Sequence, residues 1–451
     1  MNKENKQAPD NILRLMYRAP YGSIIMLARF KEIIKKPDLQ QALSLARIKY
    51  PLLNARFSQD EDGNIETLSD YKKDFSIYCG VKTQATDWLA LAWSQQQKPF
   101  DMQKGPLIKF ILLSDETTSD LVIICHHCIC DGLSLVYLIK DLVYFMENPA
   151  TQVQAKEPPP RISLDNLATE KPASFVNFFT ALLANSLNRS WNKNKVVFSQ
   201  TDFEKMNSDY WQGKDIGLLD ITLTAQQTAA IIASCKQNKV TVNSALTTAF
   251  TLAQKDLFGD KKGYLRRALL AISARELLKT AQSDNFGQLA IGNVVTLPRG
   301  KGDFWSLAAS FNAKTKAMLA NPKKFLALIA PLDFIEPTLF DAIYFVENAG
   351  FKNSAAERFK KLVLSPNGKP RRSMDITNLG AIKDCDEKIE TIYFVPMLSS
   401  NYVKTLGIVT VHDAMNIIIM HNHEYVSHEK AEEFRQKIIT YLKNACSDFN
   451  Q

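Results

Sequence analysis

Long apolar runs are missing from this sequence of 451 residues. The longest ones lie around residues 23–27 and 417–420, far below the roughly 20 consecutive apolar residues that a membrane-spanning helix needs. Residues 1–9 (MNKENKQAP) are polar and lack the apolar core of a secretory signal. We therefore expect a cytoplasmic protein without a membrane span.

Cysteine is scarce and scattered. The chain has seven cysteines, an odd number, at positions 79, 125, 128, 130, 235, 385 and 446. A small secreted fold stapled by disulfides would show an even number of cysteines at framework-like spacing. The pattern argues against a disulfide framework and predicts reduced thiols.

Basic stretches interleaved with aromatic residues, which would suggest base stacking on nucleic acid, are also absent. The formal charge is +8 and the isoelectric point is about 8.9. This modest excess favours an anionic small ligand or an acidic partner protein over nucleic acid. The lysines and arginines occur mostly as short clusters, which are typical of solvated faces; these are residues 35–36, 261–262, 323–324, 360–361 and 371–372.

Histidine is rare as well, yet two of the six histidines are adjacent in the HHCICDG segment, residues 126–132. The apolar run before it, residues 121–125 (LVIIC), is typical of a buried strand, and Asp131-Gly132 predicts a turn. Residues 133–147 show helical spacing of apolar side chains and predict an amphipathic helix. A neutral imidazole at such a strand end can accept a proton near physiological pH, so we interpret His127 as a general base.

Three other interpretations of this region are chemically reasonable. Cys125 and Cys128 have the spacing of zinc ligands, and His421 with His423 would share one face of a strand. Crowded ligands at consecutive positions cannot all reach one ion, however, so we predict no metal site. Cys128 or Cys130 could act as a nucleophile activated by histidine, or the histidine could be a hydrogen-bonded core residue.

The segment resembles the HHxxxDG signature of an acyltransferase superfamily. This superfamily includes peptide-synthetase condensation domains, alcohol O-acyltransferases, polyketide-associated acyltransferases, the plant BAHD enzymes and chloramphenicol acetyltransferase. Residues 51–57 (PLLNARF) and 99–107 (PFDMQKGPL) resemble segments upstream of the signature. Further landmarks in the second half are residues 273–275 (SAR), 286–287 (FG), 291–295 (IGNVV) and 377–380 (TNLG). The resemblance extends from about residue 13 to residue 442.

The resemblance implies distinct roles for the residues of the signature. The second histidine, His127, would be catalytic, and the first, His126, would support the site. Asp131 could orient His127 as in a catalytic triad, but the family's aspartate typically turns away to pair with an arginine of the second half. Arg275 is the candidate for that arginine, and a buried pair of this kind would hold the site's geometry.

Two further residues are candidates for support and substrate contact. Gly132 allows either a tight turn or a close approach of ligand to backbone. A tetrahedral intermediate needs a donor that stabilises its oxyanion, and Asn293 is our candidate because it lies in a Gly-Asn-Val landmark. A purely structural asparagine is the alternative.

Length and alternating segments predict an α/β protein of two domains. From the resemblance we expect two chloramphenicol-acetyltransferase-like lobes that form a pseudo-dimer with the active-site tunnel between them. Residues 1–170 would form the first lobe with the HHxxxDG signature, residues 171–201 a linker with a crossing helix, and residues 202–451 the second lobe. The predicted strands are residues 23–30, 107–113 and 220–223, and the predicted helices are residues 38–50, 225–237, 242–254 and 427–443.

The resemblance implies transfer of an acyl group from a thioester of CoA or carrier-protein phosphopantetheine to an acceptor. The plant-type DFGWG motif and the late motifs of modular condensation domains are missing, so we predict a free-standing enzyme that acylates a hydroxyl. A stand-alone condensation enzyme that forms an amide is the alternative, and an epimerase-like or non-catalytic binding relative is the third hypothesis. We expect a monomer with no permanently bound cofactor, with the thioester as substrate and any carrier protein acting in trans.

Overall fold

The computed structural model describes most of the chain. The described residues are 11–83, 88–162, 166, 175–259, 266–280, 282–297, 302–321, 332–364, 370, 372–399 and 401–449. For residues 175–180 only the helical backbone is described. The lysine pairs 261–262 and 323–324, residue 371 and the polar residues 1–9 lie outside the described residues.

Strands and helices alternate through both halves of the chain. The strands are β1 Ser23–Phe30, β2 Arg56–Gln59, β3 Ile65–Leu68, β4 Ile77–Val81, β5 Ile108–Ser114, β6 Ser119–His126, β7 Ile216–Leu223, β8 Arg267–Ser273, β9 Ala290–Thr296, β10 Arg372–Ala381, β11 Ile389–Val395, β12 Tyr402–Val411 and β13 Ala414–Asn422. The helices are α1 Asn11–Tyr17, α2 Lys36–Lys49, α3 Trp88–Gln96, α4 Gly132–Glu147, α5 Phe175–Asn192, α6 Gln200–Trp211, α7 Ala225–Gln237, α8 Val242–Phe258, α9 Phe304–Leu319, α10 Pro337–Asn348, α11 Ser354–Val363 and α12 His428–Ala445.

The first sheet has five strands in the order β11-β1-β6-β5-β4. β1 and β6 pair antiparallel along their whole length, from Ser23 opposite His126 to Phe30 opposite Ser119. Both strands are continuous apolar runs with almost every residue buried, as expected for strands covered on both faces. Helices α2 and α4 pack against each other beside this sheet, so the end of β6 and the start of α4 are held by a well-packed core.

The second sheet has six strands in the order β7-β13-β12-β10-β8-β9. β13 is paired antiparallel on both sides, with β12 and with β7. Helix α8 packs against α9 and α12, and a second apolar core fills the space between these helices and the sheet. The two halves therefore use the same layering of helices on a mainly antiparallel sheet.

One strand of the second half belongs to the first sheet. The chain leaves the second sheet after β10, forms β11 beside β1 with Ile25 opposite Val395, and returns as β12. Asn416 of β13 donates from Nδ2 to the Ile392 carbonyl (2.9 Å), which ties β11 to the second sheet. The division of the chain at residues 170 and 202 stays a prediction, and this strand exchange is an addition that the sequence did not suggest.

A third group of helices, α1, α5, α6, α10 and α11, surrounds its own apolar core. The core contains a buried ion pair between Arg14 of α1 and Asp341 of α10. Among the described residues, none of the helices has both the length and the apolar character that crossing a bilayer requires.

Most predicted elements lie where the sequence indicated. β1 and α7 have the predicted bounds, and Ser427 is the N-cap of the last helix, accepting from the Lys430 amide. Two elements are four residues longer than predicted. β7 begins four residues before residue 220, because it pairs with β13 along its whole length. Helix α8 continues to Phe258, where Gly259 ends it with a positive φ of 75°.

Candidate active site

The HHCICDG segment connects the end of β6 with the start of α4. The His126 amide donates to the Leu107 carbonyl (2.9 Å), and the His127 amide donates to the Gly22 carbonyl (2.7 Å). These bonds hold the backbone of both histidines to the segments that precede β5 and β1. The side chains at the end of β6 therefore start from a fixed backbone.

The ring of His127 has one nitrogen engaged and one available. Its Nδ1 lies 2.7 Å from the Cys130 carbonyl oxygen. A carbonyl can only accept, so Nδ1 carries the proton and Nε2 keeps its lone pair. Burial lowers the pKa of His127, although the Cys130 carbonyl and the Asp131 carboxylate oppose this effect. The imidazole is therefore neutral near pH 7, partly exposed, and able to accept a proton at Nε2.

His126 is in a different environment. Its side chain is buried, its ring edge meets Phe100 at a centroid distance of 5.8 Å, and its Nδ1 accepts from the Cys128 amide at 3.3 Å. Burial, followed by the charge of His127, lowers the pKa of His126 to about 3. The ring is thus a neutral group that orders the loop, in line with the supporting role that the resemblance implied.

Asp131 begins helix α4 and binds the second half of the chain. As N-cap it accepts from the Ser134 amide at 2.8 Å, which satisfies a helix N-terminal donor. Arg275 donates to both carboxylate oxygens, from Nη1 at 2.7 Å and from Nη2 at 3.0 Å. The Leu289 amide adds a third contact at 3.3 Å. The ion pair that the resemblance implied is present, and it is bidentate and buried.

Among the described residues, Asp131 and His127 are not joined as they would be in a catalytic triad. The carboxylate of Asp131 is engaged by Ser134, Arg275 and Leu289, and the Nδ1 of His127 is bound to a backbone carbonyl. Removing one partner of a buried ion pair leaves an uncompensated charge and costs about 3 to 5 kcal/mol. Asp131 therefore acts by joining the start of α4 to the second half, and it does not orient His127 through a hydrogen bond.

Comparison with known proteins shows a family match for part of the chain. Residues 23–161 match the condensation-domain family model, and they include the whole HHCICDG segment. The nonribosomal peptide synthetase fmqA of Aspergillus fumigatus is 30% identical over 143 residues, which is 29% of this chain and 4% of that protein. The chain thus spans only a small part of that relative's length.

Solved structures show the same two-lobed fold over nearly the whole chain. The TRI3 trichothecene 15-O-acetyltransferase of Fusarium sporotrichioides superposes with a TM-score of 0.65 at 17% identity, covering 97% of this chain and 94% of the other. The first condensation domain of the calcium-dependent antibiotic synthetase gives 0.62 at 10% identity, covering 99% and 97%. The resemblance to condensation domains is confirmed for residues 23–161, and the solved structures show the two-lobed acyltransferase-type fold over nearly the whole chain.

Gly132 has a packing role in this condensation-type fold. It is the first residue of α4, and its backbone is not in the left-handed region. A Cβ at this position would lie 2.6 Å from Leu379 Cδ2 and 3.1 Å from Phe394 Cζ. The close approach at Gly132 therefore comes from side chains of the second half, and its backbone does not use the left-handed conformation that glycine allows.

Asn293 lies on β9, the edge strand of the second sheet, with its side chain buried. Among the described residues, no hydrogen bond joins this side chain to the HHCICDG segment. The strand begins directly after Leu289, whose amide binds Asp131. The oxyanion role of Asn293 stays a prediction.

The cysteines of the segment are buried among backbone carbonyls. All seven cysteines of the chain are free thiols. Cys130 lies 3.6 Å from the His126 carbonyl, and burial raises the pKa of its thiol well above the ordinary value. A protonated thiol is a poor nucleophile, so a nucleophilic role for Cys130 is not supported. Cys125 and Cys128 do not gather with His421 and His423. Among the described residues, the third possible ligand beside these two histidines is His428.

Sequence reasoning missed two residues that build the site. Gly22 accepts the His127 amide, and a Cβ on it would lie 3.0 Å from His126 Nε2. Ser134 Oγ lies 2.7 Å from Asp131 Oδ1 and accepts from Arg275 Nη2 at 3.1 Å and from the Gly287 amide at 3.0 Å. The spacing of Asp131 and Ser134, three residues apart before an apolar helix, matches a capping box and could have identified Ser134.

One cavity of this condensation-type fold lies away from the segment. It has a volume of about 170 Å³ and is lined by residues that include Tyr210, Glu347, Asn422 and Tyr425. Residues 126–132 do not line it, so it does not test the predicted tunnel at His127, which stays a prediction.

Proposed function

We propose that this protein is an acyltransferase that moves an acyl group from a thioester to a hydroxyl acceptor, with His127 as general base. One observation carries the proposal. The Nδ1 of His127 is bound to the Cys130 carbonyl at 2.7 Å, which leaves Nε2 as a proton acceptor on a partly exposed ring. The condensation-domain match and the acyltransferase fold support acyl transfer in general.

The reaction follows from this tautomer. Nε2 of His127 takes the proton of the acceptor hydroxyl as the hydroxyl oxygen attacks the thioester carbonyl carbon. The tetrahedral intermediate collapses, the carbon–sulfur bond breaks, and the thiolate receives the proton from the imidazolium. Proton transfer by one positioned group contributes roughly a hundredfold to ten-thousandfold, and holding both substrates beside it supplies much of the remaining acceleration.

The Asp131–Arg275 pair serves this reaction as a positioning device. It fixes the start of α4 against the segment that precedes β9 of the second half. If the acceptor and the donor meet between the lobes, this pair sets the distance between His127 and groups of the second lobe. Asn293 on β9 is our candidate for stabilising the oxyanion, where loss of a donor costs about 3 to 4 kcal/mol.

The proposal also covers the acyl donor, the cellular compartment and the oligomeric state. The net positive charge favours a phosphate-bearing thioester, either CoA or the phosphopantetheine of a carrier protein in trans. We propose a cytoplasmic monomer that holds the thioester as substrate and needs no permanently bound cofactor.

Amide formation is the second candidate, favoured by the condensation-domain match over residues 23–161. The same base would then take a proton from an amine. Because the chemistry at His127 is shared, only the acceptor separates the two functions.

The test is an acceptor screen with purified protein. Acyl-CoA and acyl-carrier donors are mixed with a panel of alcohols and amines, and thiol release and acylated product are measured for wild type, His127→Ala and His412→Asn. The His412 variant is the matched control, since it removes another partly exposed histidine at a strand end. We expect ester product from wild type and from the control only. Equal product from His127→Ala, with its fold intact by circular dichroism, would refute the base assignment, and amide in place of ester would select the second candidate.

A further inference from the structure

Three of the six histidines in the chain meet at one end of the second sheet. His421 lies on β13, His423 follows the strand, and His428 is the first residue of α12. One ring nitrogen from each lies within 4.8 Å of those of the other two. The ring centroids of His421 and His423 are 4.8 Å apart, and those of His423 and His428 are 6.2 Å apart with nearly parallel planes.

The buried member of this group, which we call the histidine cluster, has no hydrogen-bond partner. His421 has a relative exposure of 0%, and neither its Nδ1 nor its Nε2 finds a partner among the described residues. A buried polar group without a partner costs about 1 to 3 kcal/mol. Each such group therefore calls for an explanation, and an unseen ion is one of the recognised ones.

The backbone beside the cluster leaves room for the rings. Gly217 of β7 is the register partner of His421. A Cβ on Gly217 would lie 2.3 Å from His421 Nε2 and 2.7 Å from His423 Nε2. A side chain at this position would force both imidazoles to move from their present places.

The charges around the cluster are mixed. Asp215 Oδ1 lies 3.9 Å from His423 Nε2, and the Asp215 carbonyl accepts the His423 amide at 2.9 Å. Glu432, one turn along α12, interacts electrostatically with His428. Lys404, the register partner of His421 on β12, adds a positive charge that would oppose a bound cation. Its ammonium, however, donates to Gln254 and lies over the ring of Phe434.

We infer that the histidine cluster binds one divalent transition-metal ion of the zinc type through His421, His423 and His428. Imidazole nitrogen is a preferred ligand of zinc, copper and nickel, whereas magnesium and calcium prefer oxygen. Zinc–nitrogen bonds of about 2.0 to 2.1 Å in a tetrahedron set the nitrogens about 3.3 Å apart. His423 is half-buried and His428 is exposed, so both can rotate toward the buried His421 to reach this spacing.

The fourth position would be taken by water or by the nearby Asp215 carboxylate. The ion would connect the end of β13 to the start of α12 across five residues of loop. Such a site is a cross-link within the second lobe, and it does not depend on the proposed acyl transfer.

The test is a metal titration of tag-free protein after chelator treatment. Co²⁺ is added first, because its visible absorption reports tetrahedral nitrogen coordination, and Zn²⁺ is then added to displace it. The variants are His421→Ala and His428→Ala. His412→Asn is the matched control, because His412 lies at the opposite end of β13 and asparagine tolerates its positive φ of 46°.

We expect one Co²⁺ per wild-type chain, released by Zn²⁺, and unchanged binding by His412→Asn. His428→Ala replaces an exposed side chain, so its fold should be intact. It should bind Co²⁺ at least about tenfold more weakly than wild type. Zn²⁺ should also raise the midpoint of thermal unfolding in wild type and not in His428→Ala. The inference is overturned if wild type shows no Co²⁺ bands, or if wild type and His428→Ala bind alike.

Discussion

The two sheets carry the same arrangement at one end of one strand. In the first, β6 ends at His126 and α4 follows from the N-cap Asp131. In the second, β13 ends one residue after His421 and α12 follows from the N-cap Ser427. Both strands are central members of their sheets, and both helices pack on a neighbouring helix of the same lobe.

The difference between the two ends lies in the partners of the imidazoles. At the first, a carbonyl holds one nitrogen of His127, and an arginine of the other half holds the N-cap acid. At the second, His421 has no partner on either nitrogen among the described residues. The same succession of strand, loop and helix can therefore hold an imidazole in a defined tautomer or leave a buried imidazole without a hydrogen-bond partner, depending on what neighbouring segments donate and accept.

The largest effect should come from removing His127, the proposed base of the first arrangement. We expect His127→Ala to lower kcat/KM by about a hundredfold to ten-thousandfold, because proton transfer from the acceptor is lost. His428→Ala, at the second arrangement, should keep the wild-type value. Steady-state kinetics on both variants would measure the contrast, and a similar loss in both would mean that the two ends are not functionally distinct.

Substitutions at the two helix N-caps and their partners should also differ clearly in how far they lower the free energy of unfolding. Arg275→Ala should lower the free energy of unfolding by about 3 to 5 kcal/mol, since it strands the buried carboxylate of Asp131. Asp131→Asn/Arg275→Ala should be less destabilised than the sum of the single changes. Ser427→Ala, which removes only a cap, should cost about 1 kcal/mol. Urea unfolding measures the free energies for Arg275→Ala, Asp131→Asn, the double variant and Ser427→Ala. If the losses of the two single variants add up to the loss of the double variant, the direct ion pair is contradicted.

A buried acid of the second sheet offers a contrast with the paired Asp131. Asp375 on β10 is buried with Oδ1 unpartnered among the described residues, and burial raises its pKa from 3.8 to about 7. The folded state therefore holds this proton more tightly than the unfolded state, so stability decreases as the pH rises from about 4 to about 7.

Asp375→Asn removes this titration. The stability difference between variant and wild type should shift in favour of the variant between pH 4 and pH 8, by at most about 4 kcal/mol. Urea unfolding at several pH values measures the difference. A difference that does not change with pH would show that the carboxyl titrates normally.

A smaller effect than the loss of the buried ion pair should come from the two glycines that face these ends. Gly132→Ala brings a methyl against Leu379 and Phe394 and should cost about 1 to 3 kcal/mol by overpacking. Gly217→Ala meets His421 and His423 instead, so it should also weaken Co²⁺ binding, which Gly132→Ala should not affect. Thermal unfolding with and without metal separates the two outcomes.

Local sequence patterns predicted the bounds of helices and strands better than they predicted which distant strands and side chains come together. The bounds of β1 and α7 followed from apolar runs and spacing, and the ion pair of Asp131 with Arg275 followed from the resemblance, although 144 residues separate the two. β11 was not predicted, because nothing in the sequence of Ile389–Val395 indicates which sheet the strand joins. The spacing of His421 and His423 indicates a shared strand face, but it does not show that their neighbour is His428 and not the cysteines of the first half. The third member, His428, depends on the direction in which α12 leaves the loop, and that is fixed by packing.

The strand exchange also limits how the chain can be divided. β11 covers one edge of β1, opposite the edge that β6 occupies. A fragment that ends near residue 170 would lose β11 and present that edge of β1, with its unpaired amides and carbonyls and its apolar side chains, to solvent. Exposed edges of this kind pair with other chains, so the first half on its own is a candidate for self-association even though all its other strands are present.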